Sequence, residues 1–208
     1  MWSWSCYTLR PTERTHMVTL ASLWLPILLA TVGCFVLSSI IWMASPLHKH
    51  DYKSPGDKEG PLLDLLRSQA FEPGMYYVPW CGGHDGSKKK PSPEMIEKMK
   101  AGPWAMLTVK PGAPSMGRML AMWALHILIV TVLVAYVASN GRAAGAGFLS
   151  VFQVATTAAL LGHAGGALPA SIWQGQPWSQ LPGRLVDAVI YACTTGAAFA
   201  GLWPAAPA

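Results

Sequence analysis

Four long apolar stretches constrain this chain more than any other feature. They cover residues 17–43, 118–138, 143–162 and 185–203, and the only formally charged residues inside them are Arg118 and Asp187. The hydrocarbon core of a bilayer is about 30 Å thick and accommodates roughly 20 apolar residues in a helix. Each stretch therefore predicts one transmembrane helix, and the expected fold is an all-α membrane protein with four such helices.

The composition supports a membrane location. Hydrophobic residues make up 52% of the chain and charged residues only 12%, whereas charged residues reach about a quarter of a soluble domain. The first stretch, at 27 residues, is longer than the roughly 7–15 apolar residues of a secretory signal peptide, so we expect a retained anchor. Residues 1–16 show no apolar period and are expected to form a disordered tail.

Residues 44–117 are polar and predict a small extramembrane α/β subdomain between helices 1 and 2. Residues 61–70 predict a helix that begins near a proline, followed by a strand at residues 75–80. The unit repeats when Ser92 caps a helix that leads to a second strand at residues 104–110. This region holds ten basic and eight acidic residues, so the net charge of +5 does not indicate nucleic-acid binding.

The remaining connections predict the packing of the helices. Asn140-Gly141 predicts a tight turn, which would make the second and third helices antiparallel neighbours, and residues 163–184 are expected to form a loop. Small and polar residues on the third and fourth helices predict close helix packing. The same faces are candidates for contact with a membrane-protein partner or for homo-oligomerisation.

Basic residues near the helix ends predict the orientation in the membrane. Eight lie on the side of the long subdomain and three on the opposite side. The excess of positive charge on cytoplasmic loops then places the subdomain in the cytoplasm and both termini outside.

Arg184 and Asp187 form the strongest polar signal within the apolar stretches. Three residues apart on a helix, they would share one face, which predicts an ion pair at the membrane interface. The alternative is an ion or proton site, because intramembrane carboxylates are costly and are often retained for such functions.

Two sets of residues are candidates for binding a metal. His126 and His163 lie toward the same end of an antiparallel hairpin and could ligate a haem iron or a divalent ion. A second set, formed by the HKHDY and CGGHD motifs, could form a mononuclear zinc site, with surface-loop residues as the simpler interpretation. The residues of this second set are His48, His50, Asp51, Cys81 and His84.

Several short motifs resemble small four-helix bacterial membrane proteins of uncharacterised function. They are LHKHDY after the first helix, PGMYYVPW, KAGPWAMLTV, PSMG before the second helix, SIW and the terminal LWP. The resemblance covers roughly residues 17–204 and implies a bacterial origin and a translation start nearer Met17 than Met1. It carries over no catalytic residue.

The sequence predicts a non-enzymatic role. It contains no nucleophile elbow, phosphate loop or cofactor fingerprint, and no catalytic residue is expected. The leading hypothesis is an accessory or structural subunit of a complex in a bacterial inner membrane. Metal or haem binding is one alternative, and transport of a small solute or ion by an oligomer is another.

Overall fold

A computed structural model of the chain describes residues 18–80 and 92–207. These residues form a mostly helical structure with one two-stranded sheet. The helices are α1 (Trp24–Ala44), α2 (Glu59–Ser68), α3 (Pro93–Ala101), α4 (Met116–Gly141), α5 (Phe148–Ala164), α6 (Ala167–Trp173) and α7 (Leu181–Gly201), and the strands are β1 (Gly74–Val78) and β2 (Ala105–Val109). A short 3₁₀ turn, Leu20–Leu23, leads into α1.

Helices α1, α4, α5 and α7 form a bundle. The most extensive helix contact joins α5 and α7, while α7 also packs on α1 and α4 packs on both α1 and α5. Ala155, Ala159 and Ala192 are fully buried. A Cβ atom at Gly196 would overlap Thr156 Oγ1, so α5 and α7 are in close contact there. This arrangement agrees with the close packing that the small residues predict.

Large apolar side chains cover the outside of the bundle. Val32, Val36 and Ile40 on α1 are about half exposed, as are Leu125, Ile129 and Leu133 on α4. Small residues inside and large apolar residues outside suit a lipid environment, in which close helix packing drives association.

Within the described residues, three helical stretches are long and apolar enough to cross a membrane: Leu20–Ala44, Met116–Gly141 and Phe148–Trp173. The prediction of a mostly helical, membrane-type fold with a small sheet is confirmed at this level. Helix α7, with Arg184 and Asp187 in its first turns, is not one of the three, so the structure shows three candidate spans where the sequence predicted four.

The connection between α4 and α5 differs from the prediction. Helix α4 continues through Gly141, so Asn140-Gly141 is not the turn, and α5 begins at Phe148 rather than at residue 143. Two hydrogen bonds join this connection to the residues that follow α7. Trp203 Nε1 donates to the Ala143 carbonyl at 2.9 Å, and the N–H of Gly145, which has φ of 77°, donates to the Pro204 carbonyl at 2.8 Å.

The region expected to be a loop, residues 163–184, is largely helical. It contains α6, a 3₁₀ turn at Trp178–Gln180 and the first turn of α7. Pro182 lies in that first turn, where its missing N–H costs no helical hydrogen bond.

The part of the chain between α1 and α4 contains the expected helices and strands. Ser92 caps α3 by accepting from the Met95 N–H. Strands β1 and β2 pair antiparallel, with Tyr76 opposite Leu107. Residues 52–115 lie within the stretch that the sequence predicts to be outside the membrane, and we call them the extramembrane segment.

Candidate functional site

A cavity of about 370 Å³ lies at one end of the bundle, where α1 and α5 end and α4 and α7 begin. Its walls combine aromatic side chains with charged and polar groups. The lining includes Trp42, Trp123, His126, His163, Arg184, Asp187 and Tyr191. The antiparallel helices bring these residues together from four different parts of the sequence.

His48 lies between two carboxylates beside this cavity. Its Nδ1 is 2.8 Å from Asp51 Oδ2, and its Nε2 is 2.9 Å from Asp187 Oδ2. The turn after Pro46 positions His48, and the Asp51 N–H donates back to the His48 carbonyl at 3.1 Å. Trp42 stacks on the imidazole with ring centroids 3.9 Å apart. The side chains of His48, Asp51 and Asp187 are at most 9% exposed, so the network is shielded from water.

The geometry of this network requires an additional proton. A neutral imidazole has one N–H, but both ring nitrogens of His48 face carboxylate oxygens that can only accept when ionised. Burial disfavours the imidazolium, yet hydrogen bonds to Asp51 and Asp187 and their negative charges outweigh it and raise the pKa of His48 above its ordinary 6.5. The geometry and the pKa both favour His48 as an imidazolium that donates to both carboxylates.

Gln180 connects this network to Arg184. The Gln180 side-chain amide donates to the backbone carbonyl of Asp51, and its Oε1 accepts from Arg184 Nη2 at 3.0 Å. Gln180 is only 7% exposed, which fixes its orientation.

The predicted ion pair between Arg184 and Asp187 is not formed. Asp187 uses Oδ2 to bind His48, and Arg184 uses Nη2 to bind Gln180. The reason is competition, because each charge has another partner within hydrogen-bond distance: His48, 139 residues away in the sequence, for Asp187, and Gln180, four residues before it, for Arg184. Asp187 Oδ1 and Arg184 Nε are buried and have no hydrogen-bond partner.

His126 and His163 meet across the cavity. Their ring centroids are 5.9 Å apart in an edge-to-face arrangement. Trp123 stacks on His126 at 5.3 Å, and Tyr191 contacts His163 at 5.5 Å. Neither ring nitrogen of His163 has a hydrogen-bond partner. The structure therefore brings this pair together at one end of the bundle.

The second set of candidate metal ligands is only partly described. Both ring nitrogens of His48 are engaged by carboxylates, and His50 is exposed. Cys81 and His84 lie outside the described residues. Within residues 18–80 and 92–207, no group of three or more His, Cys, Asp or Glu residues is placed to hold a metal ion.

The sequence did not reveal the link between His48 and Asp187. The two residues are 139 positions apart, and each was considered only with its near neighbours. One signal could have pointed to the link, since a carboxylate one turn into an apolar helix needs a partner and HKHDY lies at the same end of the bundle. Trp42 and Gln180 could not have been assigned to the site from local pattern.

No family model, no curated protein and no solved structure matches this chain. The resemblance to small bacterial four-helix membrane proteins stays a prediction from short motifs.

Proposed function

We propose that this chain is a non-enzymatic accessory subunit of a bacterial inner-membrane complex, and that its extramembrane segment binds the partner protein. The supporting observation is the absence of a core in that segment. From Tyr52 to Ser115, none of the described residues is buried. A bundle that packs tightly is thus joined to a segment that needs another surface to complete it.

The proposal includes α7 as a fourth membrane span. Its 21 residues would measure about 30 Å, which matches the hydrocarbon core. It packs against both α1 and α5 at the centre of the bundle. Its charges, Arg184 and Asp187, lie at the end that carries the polar network, where snorkelling and hydrogen bonding reduce their cost.

The extramembrane segment exposes many large apolar side chains. An isolated pair of strands is marginally stable in water, so β1 and β2 would gain from an additional packing surface. One described contact joins the segment to α6, since Tyr77 OH donates to the Trp173 carbonyl at 2.8 Å. The large apolar side chains with an exposed fraction of 39% or more include Leu62, Leu63, Leu65, Phe71, Met75, Val78, Ile96 and Trp104.

The charges of the segment are nearly balanced apart from one run of lysines. Residues 52–115 contain nine basic and seven acidic side chains, and three of the basic ones are the consecutive Lys88, Lys89 and Lys90. Several of these pair internally, for example Lys98 with Glu94 at 2.9 Å and Lys100 with Glu97 at 3.2 Å. The lysine run suits anionic headgroups, whereas the balanced charge and exposed apolar side chains of the described helices and strands are typical of protein interfaces, and we assign the partner contact to those elements.

The small residues of α5 and α7 support this location of the interface. Gly196 faces Thr156 and Phe152 within the chain, and Ala155 and Ala192 are fully buried. These residues are already engaged in packing α5 on α7. We therefore place the main partner contact on the extramembrane segment rather than on the small faces of the third and fourth helices.

The test is site-specific photocrosslinking in the native host. A crosslinker at Leu63 or Trp104 is expected to capture one companion in stoichiometric amount, and a crosslinker at Ile129, on the apolar outer surface of α4, is expected to capture mainly lipid. The double variant Leu62→Lys/Leu65→Lys is expected to release the companion during purification in mild detergent while far-UV circular dichroism is unchanged. A monomer with no companion, or crosslinks only to lipid or to a second copy, would contradict the proposal.

Metal binding is the second candidate function. It rests on the separation of 5.9 Å between the His126 and His163 ring centroids, which lets one ion contact both rings, and on the free nitrogens of His163. A single ion suits the packing better than haem, because Trp123 and Tyr191 closely flank both rings. Elemental analysis of the purified protein and of His163→Ala tests this candidate. Metal content that is absent, or equal in the two samples, would exclude it.

A further inference from the structure

The cavity holds two opposite charges that are kept apart. Arg184 and Asp187 are three residues apart on α7 and both line the cavity, yet they do not pair with each other. Each has one buried atom without a partner, Nε in Arg184 and Oδ1 in Asp187. Asp187 as a whole is only 6% exposed.

The surrounding residues hold this separation in place. His48 binds Asp187 Oδ2 and is itself fixed by Asp51 and by stacking on Trp42. Gln180 holds the Arg184 guanidinium from the other side. Buried polar atoms normally have hydrogen-bond partners, and the penalty for leaving them without is largest for charged groups. Two opposite charges that line one cavity and are held apart indicate a ligand that carries both charges.

We propose that this cavity binds a zwitterionic group. Its ammonium would pair with the Asp187 carboxylate, and its carboxylate or phosphate would pair with the Arg184 guanidinium, since both residues line the cavity. The aromatic walls formed by Trp42, Trp123 and Tyr191 suit the apolar remainder of the ligand and add cation–π attraction for the ammonium. A volume of about 370 Å³ lies within the range of small-molecule sites.

Two sources supply this chemistry. One is a free amino acid, and the other is the headgroup of a phospholipid that carries a primary ammonium, such as phosphatidylethanolamine. The cavity lies at the end of the bundle and His126 is exposed on its wall, so both sources have physical access. The inference does not rest on the accessory role, because the cavity belongs to the bundle and not to the extramembrane segment.

The first experimental arm tests free amino acids. The protein is reconstituted in nanodiscs of phosphatidylglycerol, which has no ammonium, and its Tm is measured with glycine, L-leucine or L-phenylalanine. The corresponding probes with a single charge are methylamine and acetate, isopentylamine and 4-methylpentanoate, and phenethylamine and 3-phenylpropanoate. The second arm compares the same nanodiscs with added phosphatidylethanolamine or with phosphatidylcholine, whose quaternary ammonium cannot donate a hydrogen bond.

The expected result is a saturable rise in Tm, about 5 °C at a hundredfold excess over Kd, for at least one amino acid or for phosphatidylethanolamine. The matched single-charge probes and phosphatidylcholine are expected to give less than a third of that rise. Asp187→Asn and Arg184→Gln should each abolish it. Asp64→Asn and Arg67→Gln, an exposed pair on α2, make the same chemical changes away from the cavity and should retain it.

Which arm responds identifies the source, and the proposal fails if neither does. It also fails if an amine or an acid alone is as effective, or if the rise persists in Arg184→Gln. Asp187→Asn also weakens the contact with His48 and so lowers the stability of the fold. The decisive variant is therefore Arg184→Gln. Arg184→Gln loses one bond to Gln180, and isothermal titration calorimetry on the unmodified protein measures the same binding without any variant.

Discussion

The bundle and the extramembrane segment differ in how far their side chains are buried. In the bundle, helices α5 and α7 meet over alanine and glycine, and a buried network joins His48, Asp51 and Asp187. In the extramembrane segment, none of the described residues is buried, although its helices and strands form with regular caps and pairing. Regular secondary structure therefore does not imply a buried core. Among the described residues, the bundle has such a core and the extramembrane segment does not.

The largest effect is expected at the close contact between α5 and α7. Gly196→Val adds a Cβ atom that would overlap Thr156 Oγ1 and further methyl groups toward Phe152, so the helices must separate. Overpacking of this kind costs about 1–3 kcal/mol and more where the backbone must move. We expect the highest cost in the series, measured by thermal unfolding in detergent. Gly117→Val is the control, since a Cβ atom there meets nothing within 4 Å. Equal stability of the two variants would show that α5 and α7 are farther apart.

The buried network gives the next effect, which depends on pH. The pKa of His48 is raised in the folded protein, so its stabilising contribution is complete below about pH 6.5 and is lost as pH rises through the raised value. His48→Gln removes that contribution, and the loss of buried hydrogen bonds should cost about 1–3 kcal/mol at pH 6. Thermal unfolding from pH 5 to pH 9 is expected to show a decline in the unmodified protein and a flatter profile in the variant.

The matched control for the pH profile is His50→Gln. His50 lies two residues away but is exposed. Its variant should retain the decline of the unmodified protein. A profile in His48→Gln that declined as steeply as that of the unmodified protein would assign the pH dependence to another group.

The sequence was informative where structure depends on near neighbours. The apolar stretches, the Ser92 cap and the two strands all follow from residues within one or two turns. It was less informative where distant residues compete. Asn140-Gly141 is a reasonable turn by local preference, but the chain end at Trp203 and Pro204 stabilises a turn farther along. Competition also separates Arg184 from Asp187. His48, which is distant in the sequence, binds Asp187, and Gln180, which precedes α7, binds Arg184.

A third effect tests the contact between the chain end and the α4–α5 connection. Gly145 has φ of 77°, and a Cβ atom there would lie 2.8 Å from the Cβ of Ala206. Gly145→Ala is therefore expected to cost about 1–2 kcal/mol through backbone strain and displacement of the chain end. Hydrogen exchange of the amides at positions 145 and 146, which donate to the Pro204 and Ala143 carbonyls, should become faster. Gly147→Ala, at a negative φ of −65° with open space around it, is the control and should leave stability nearly unchanged. Similar exchange rates in Gly145→Ala and the unmodified protein would show that the chain end does not stabilise this turn.

The smallest effect on stability is expected in the extramembrane segment. Leu63 is 41% exposed on α2, and Leu63→Ser changes a side chain that belongs to no buried core. The free energy of unfolding of the isolated protein should change by less than about 0.5 kcal/mol, as for other exposed positions. In the native membrane the same substitution should weaken association with the companion protein, measured as the fraction that co-purifies.

Ile127→Ser, at a fully buried position of α4, should behave in the opposite way, with a large loss of stability. A large loss of stability in Leu63→Ser as well would mean that the extramembrane segment has a core of its own, and the contrast between the two regions would then disappear.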